Sequence, residues 1–179
     1  MVRLTRIITG TGDDGRTGIA DGSRVDKDSD LIIAIGDVDE LNSVLGVFIA
    51  SLNNQAIIEK LQQLQQQLFN LGGDLSLPDS RLVDADAIKA LEEWTQQMNE
   101  SLPPLQEFVL PGGTLATAQA HHARTVCRRA ERSVVRTSRQ KPVNPAATIF
   151  LNRLSDLLFV LARALAAQDA GEEIIWKRT

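Results

Sequence analysis

The 179-residue chain has no tyrosine, one cysteine, two histidines and only 4% aromatic residues, and each shortage closes off a class of answer. β-Sandwiches and barrels draw on Tyr, Phe and Trp, whereas this sequence is rich in Leu, Ala, Gln and Glu, which favour helices. Cys127 alone cannot form an intramolecular disulfide. With the adjacent pair His121 and His122 it gives no zinc-ligand spacing, so no metal-ligating side chains are expected. No apolar stretch approaches the roughly 20 residues of a membrane span or resembles the core of a signal peptide, and the setting expected is cytoplasmic, with no membrane partner. A formal net charge of −4 leaves no global field for nucleic acid, and no aromatic platform accompanies the basic residues.

What is present is helical periodicity. Val38, Leu41, Leu45, Phe48 and Leu52 are spaced 3, 4, 3, 4, and Ile57, Leu61, Leu64, Leu68, Leu71 and Leu75 continue the pattern in a second helix predicted to end near Gly72-Gly73. A weaker amphipathic stretch runs from Asp84 to Asn99. A fourth helix, capped by Thr114 or Thr117, is expected to reach Arg136. The fifth spans Pro145 to Ala167, with Leu151, Leu154, Leu158, Leu161 and Leu165 as its seam. Together these predict an all-α, five-helix antiparallel bundle in a single domain over 1–179. Five of the 12 glycines fall between Gly10 and Gly22, so residues 1–30 read as an irregular N-terminal segment ahead of a bundle over 31–169 and a tail over 170–179.

Two stretches carry chemistry. Gly10 to Gly15 satisfies G-x-G-x-x-G, and Gly10 to Thr17 falls one residue short of a P-loop, but helices rather than an α/β alternation follow. The segment is therefore either a solvated tail or a loop whose backbone N–H groups cradle an anion. In the fourth helix His121, Arg124, Arg128 and Arg132 fall along one side, and six arginines lie between His121 and Arg139. Such a run is either a solvated face or an anion site. The use of Arg throughout suits bidentate binding of phosphate or carboxylate. Asn152, Asp156, Phe159 and Arg163 form a second face on the fifth helix, open to interhelical salt bridges or to a ligand. Asp37, Asp39 and Glu40 cluster early in the first helix, where the dipole favours acids. Cys127, on the apolar side of its helix, reads as a core residue rather than a nucleophile.

Thr9-Gly10-Thr11-Gly12-Asp13-Asp14-Gly15-Arg16-Thr17, Arg24-Val25-Asp26-Lys27-Asp28, Val38-Asp39-Glu40-Leu41-Asn42, Phe108-Val109-Leu110-Pro111-Gly112-Gly113, Ala123 to Arg132 and Phe150 to Arg163 occur in one order across nearly the whole chain. In these motifs the chain resembles the PduO-type ATP:cob(I)alamin adenosyltransferases. The resemblance implies a homotrimer of five-helix bundles with active sites between subunits. It implies transfer of the 5′-deoxyadenosyl group of ATP to cob(I)alamin, giving adenosylcobalamin and triphosphate, with Mg2+ on the phosphates. The cobalt is then the nucleophile, and no nucleophilic side chain is needed.

The ATP-binding positions implied are Thr9, Gly10, Thr11, Gly12, Thr17, Gly18, Lys27, Arg128, Arg129, Glu131, Arg132 and Asn152. Arg128, Asn152, Arg124 and Asp39 are the implied catalytic set. Arg124 matches an arginine that pairs across the subunit interface with the carboxylate matching Asp39, shaping the cobalamin site. Phe108 matches an aromatic that keeps the lower face of cobalt free of its dimethylbenzimidazole ligand. Two positions depart from the family pattern: Gly10 stands where Lys or Arg is usual, and Ala120 where Leu is usual. A cobalamin reductase and an adenosylcobalamin-dependent enzyme are the implied partners. The alternative is a non-catalytic nucleotide- or corrinoid-binding bundle acting as a sensor or adenosylcobalamin carrier.

Overall fold

Apolar seams at helical spacing, leucine-rich in α1, α2 and α5 and built from Ala, Val and Cys127 in α4, underlie the helices of the computed structural model, which describes residues 7–77, 79–168 and 173–177. They are α1 (Asp30–Ala50), α2 (Gln55–Ser76), α3 (Ala85–Asn99), α4 (Leu115–Ser138) and α5 (Pro145–Gln168). Asn54, Asp84 and Thr114 cap the N-termini of α2, α3 and α4, each accepting a hydrogen bond from a backbone N–H of the first turn. Of the two candidate caps for α4, Thr114 takes the role and Thr117 is buried one turn further on. α4 packs between α1 and α5, α2 lies on α1, and α3 lies on α5. The buried seam residues, Leu41, Leu45, Leu61, Leu68, Leu71, Leu151, Leu154 and Leu158 among them, close one continuous core.

Two local expectations are corrected. α2 passes through Gly72-Gly73 and ends at Ser76. Helical glycine costs about 1 kcal/mol relative to Ala, but beyond the pair Leu75 is buried and Asp74 is held by four hydrogen bonds. The N-terminal segment is not wholly irregular either. β1 (Arg16–Gly18) and β2 (Arg24–Asp26) form an antiparallel pair with Thr17 opposite Val25. Ile19, between them, packs against the core and docks the hairpin on the bundle. The tail expected over 170–179 is described only at 173–177, where Val109 and Ile175 bridge antiparallel; residues 170–172, 178 and 179 lie outside the described residues, as do residues 1–6 of the N-terminal segment.

Asp74 fastens the end of α2 to the start of α5. Its carboxylate accepts from Ser80 Oγ at 2.6 Å, Leu82 N at 2.8 Å, Val83 N at 3.0 Å and Asn144 Nδ2 at 2.7 Å. Burial acts to raise its pKa, but these bonds, Ser80's first, hold the carboxyl below the ordinary Asp value. Its stabilisation is therefore complete above about pH 4 and is lost as acid protonates the folded form. Asp74→Ala leaves several buried donors unpaired and is expected to cost about 2–4 kcal/mol, read from the denaturant midpoint at neutral pH. The same titration at acid pH should bring wild type and variant together.

Candidate active site

The N-terminal loop is shaped by its own cations. Lys27 Nζ donates to Gly12 O at 2.7 Å, and Arg24 Nη2 donates to Thr11 O at 2.6 Å, Asp14 Oδ1 at 3.0 Å and Arg16 O at 3.2 Å. Arg16 returns a bond to Arg24 O at 2.8 Å, so the two arginines staple the hairpin across its register. The Arg16 N–H, helped by the Arg24 charge, holds the Asp14 carboxyl below its ordinary value against an opposing desolvation. Gly10 adopts a φ of 68°, a left-handed turn that suits glycine. The Thr9 and Thr11 hydroxyls sit 3.0 Å apart beside it. Thr17 and Gly18 lie on β1.

Gly12 is where space is shortest. A Cβ there would meet Lys27 Nζ at 3.0 Å and Arg16 O at 3.3 Å. Gly12→Ala should push the ammonium out of the loop and weaken binding of a polyphosphate anion there by about tenfold, while thermal stability, set by the bundle core, stays near wild type. Arg24 was not singled out as a site residue from sequence, although its place two residues ahead of Asp26-Lys27 in a charged hairpin is the signal that could have marked it.

A second group lies along α4 and α5. Arg128 and Arg132 are exposed and Arg124 is half-buried. Arg124 stacks its guanidinium 6.0 Å from the Phe159 ring, and its Nε is buried without a hydrogen-bond partner. Burial first, then the positive charge of Arg128, depress its pKa, the signature of a cation short of an anion. Neither Arg124 nor Arg128 forms an ion pair among the described residues. Asn152 donates to Glu131 Oε1 at 3.3 Å and accepts from Arg153 at 2.8 Å, so the α5 amide is fixed by α4. Asp156 is exposed.

His121 does not share the solvent side of Arg128 and Arg132, as its spacing implied. It is 2% exposed, turned inward with its ring 6.2 Å from Phe159. Burial, then the Arg124 charge, lowers its pKa, so it is held neutral. Arg129 is also apart from the others: it pairs with Asp37 at 3.2 Å and with Glu40, and Ser133 donates to the same Asp37. Hydrogen bonding to Glu40 raises the Arg129 pKa. The acidic cluster thus divides. Asp37 and Glu40 tie α1 to α4, whereas Asp39 is exposed and lines a groove of about 530 Å3 between α1 and α2 beside the exposed Phe69.

Phe108 is 75% exposed in the loop before α4, with Trp176 edge-on at 6.3 Å. Cys127 is inert: burial pushes its thiol far above the ordinary value, and its Sγ lies 3.2 Å from Leu151 O in the α4–α5 contact. The chain therefore holds a braced glycine loop, a row of arginines without acids, and an acid without an arginine. No recorded contact joins the loop to Arg128, or Asp39 to Arg124, among the described residues.

The family model for cobalamin adenosyltransferase matches residues 7–165. The chain belongs to this family. A cobalamin adenosyltransferase from Cupriavidus metallidurans is 49% identical over 177 residues, covering 98% of this chain and 96% of its own. A corrinoid adenosyltransferase from Mycobacterium leprae is 44% identical, covering 98% and 97%. Among solved structures, a variant of a PduO-type ATP:corrinoid adenosyltransferase from Lactobacillus reuteri complexed with cobalamin and ATP superposes with a TM-score of 0.90 at 32% identity, covering 97% of this chain and 100% of that one.

In this adenosyltransferase, no three His, Cys, Asp or Glu side chains come together as a metal cage among the described residues. A Mg2+ ion that keeps its waters and is carried on triphosphate oxygens needs none, so the Lys and Arg side chains fit a magnesium nucleotide.

Proposed function

We propose that this adenosyltransferase moves the 5′-deoxyadenosyl group of ATP onto cob(I)alamin at a site assembled from two copies of the chain. The C5′–O bond breaks as a cobalt–carbon bond forms, and triphosphate leaves with the electron pair. Reduced cobalt supplies the nucleophile, and the protein supplies orientation and counter-charge. The observation that carries the reading is the presence in one chain of a glycine loop braced by Lys27 and of two α4 guanidiniums, Arg124 and Arg128, that form no ion pair among the described residues.

Thr9, Gly10, Thr11 and Gly12, with Thr17 and Gly18 behind them, offer backbone N–H groups and hydroxyls to the phosphates. Lys27, Arg128 and Arg132 balance the charge that grows on the leaving triphosphate. Asn152, held by Glu131, orients the nucleotide by hydrogen bonding. Arg129 serves the nucleotide indirectly, by holding α4 against α1. Arg124 takes its missing anion from Asp39 of a neighbouring subunit, in a homotrimer. Phe108 presents an apolar face to the lower side of the corrin, which excludes an axial donor and brings cobalt within reach of a cellular reductant. A cobalamin reductase in the cytoplasm delivers the substrate, and an adenosylcobalamin-dependent enzyme receives the product.

Purified protein given ATP, Mg2+ and chemically reduced cob(I)alamin should develop the absorbance of a cobalt–carbon bond together with an equal amount of triphosphate. Binding of either substrate without that product would make the chain a sensor or carrier and end the enzymatic reading.

A further inference from the structure

Arg163 is the one arginine of α5 that the packing of the helices does not call for. It is 5% exposed, and a buried guanidinium persists only where it is paired. Its partners lie outside the bundle. Nε donates to Glu173 Oε1 at 2.7 Å, and Nη2 donates to Pro103 O at 2.9 Å and reaches Glu173 Oε2 at 3.5 Å. One side chain therefore fastens to α5 both the start of the α3–α4 connection and the segment 173–177.

That segment in turn holds the far part of the same connection. Leu110 N donates to Ile174 O and Trp176 N donates to Phe108 O, both at 2.7 Å, around the Val109–Ile175 bridge. Trp176 meets the Phe108 ring edge-on. The fit is close: a Cβ on Gly112 would lie 3.2 Å from Ile174 Cδ1. Only about 20 Å3, room for one water, remains between Gly112, Thr117, His121, Arg163, Glu173 and Ile174.

Phe108 is otherwise on an exposed loop with proline and glycine after it, which cannot by itself hold a ring in one place. We infer that Arg163 is a positioning residue for Phe108, acting through Glu173 and the bridged segment 174–176 to fix the ring where the corrinoid binds. The inference rests on the assignment of Phe108 to the corrinoid. The charge-assisted Arg163–Glu173 pair sets the bridged segment, the segment's two backbone bonds set the loop, and Trp176 sets the ring.

Glu173→Gln tests this without touching the bundle, since Glu173 lies beyond α5 and keeps its shape in the variant. Hydrogen exchange at the Leu110 and Trp176 amides should accelerate by about tenfold, and the KM for cob(I)alamin should rise by about tenfold with the KM for ATP unchanged. Arg163→Lys, which keeps a charge but not the fork, should fall between wild type and Glu173→Gln on both readouts. Unchanged amide exchange in Glu173→Gln would show that the clamp does not hold the 174–176 segment and would overturn the proposal. Faster exchange with an unchanged corrinoid KM would overturn it as well, because the segment would then be held for no purpose at the site. Phe108→Ala separates the two claims: corrinoid kinetics left at wild type in that variant remove the role given to Phe108, whereas the exchange data judge the clamp independently.

Discussion

Arg128→Ala should lower turnover by about 10²–10³-fold, the usual loss when one preorganised counter-charge is removed from a site where negative charge develops. The expectation is specific because the side chain has no structural work to lose. Arg128 is exposed, and among the described residues its guanidinium enters no ion pair and donates no hydrogen bond, the Arg132 side chain reaching only its main-chain carbonyl at 3.3 Å. Truncation should leave the melting temperature within the small range of surface substitutions. Arg129→Ala, by contrast, removes the links to Asp37 and Glu40 and should loosen α1 against α4 before it alters chemistry. Steady-state kinetics of the two variants beside their melting curves distinguish a phosphate ligand from a strut one residue away. Wild-type turnover in Arg128→Ala would remove its assigned role.

Asp39→Ala should lower kcat/KM for cob(I)alamin by a factor on the order of 10², because truncating one partner of a desolvated charge pair costs about 2–5 kcal/mol. Within one chain Asp39 does nothing that would explain such a loss. It is exposed in the α1–α2 groove, while Arg124 lies beside Phe159 of α5 with a buried, unpartnered Nε. The cost arises only if the two meet across a subunit boundary. Asp37→Ala provides the contrast: that carboxylate already pairs with Arg129 and Ser133 in its own chain, so its loss should appear as instability rather than as a corrinoid-specific defect.

Helix existence was legible because apolar spacing alone decides which face of a long helix is buried, and the seams of α1, α2 and α5 coincide with the core. Helix ends were less so. Gly72-Gly73 looks like a stop, but Leu75 is buried and Asp74 is secured by the loop around Val83 and, 70 residues on, by Asn144, a partner that no local window contains. The β1–β2 hairpin was missed because three-residue strands carry no periodicity, and its stability comes from Arg16 and Arg24 crossing the register.

The site was legible as a set of residues rather than as an arrangement. A helical wheel puts His121 with Arg124, yet Phe159 and the loop around Gly113 cover the histidine and leave the later arginines in solvent. The division of the acidic cluster, with Asp37 and Glu40 facing α4 and Asp39 facing away, depends on how α1 is rotated against its neighbour. Arg163 reads as an amphipathic helix position in sequence, and only the return of residues 173–177 reveals its partner.

The central claim is that the catalytic groups lie on separate faces of one chain and meet only between chains. Co-expression of Arg124→Ala and Asp39→Ala chains tests it directly. Each variant alone should be nearly inactive, whereas in a mixed ring assembled at random about a quarter of the interfaces regain both native residues, and activity should return to about that fraction of wild type. Mixed oligomers no more active than the two parents would contradict the account.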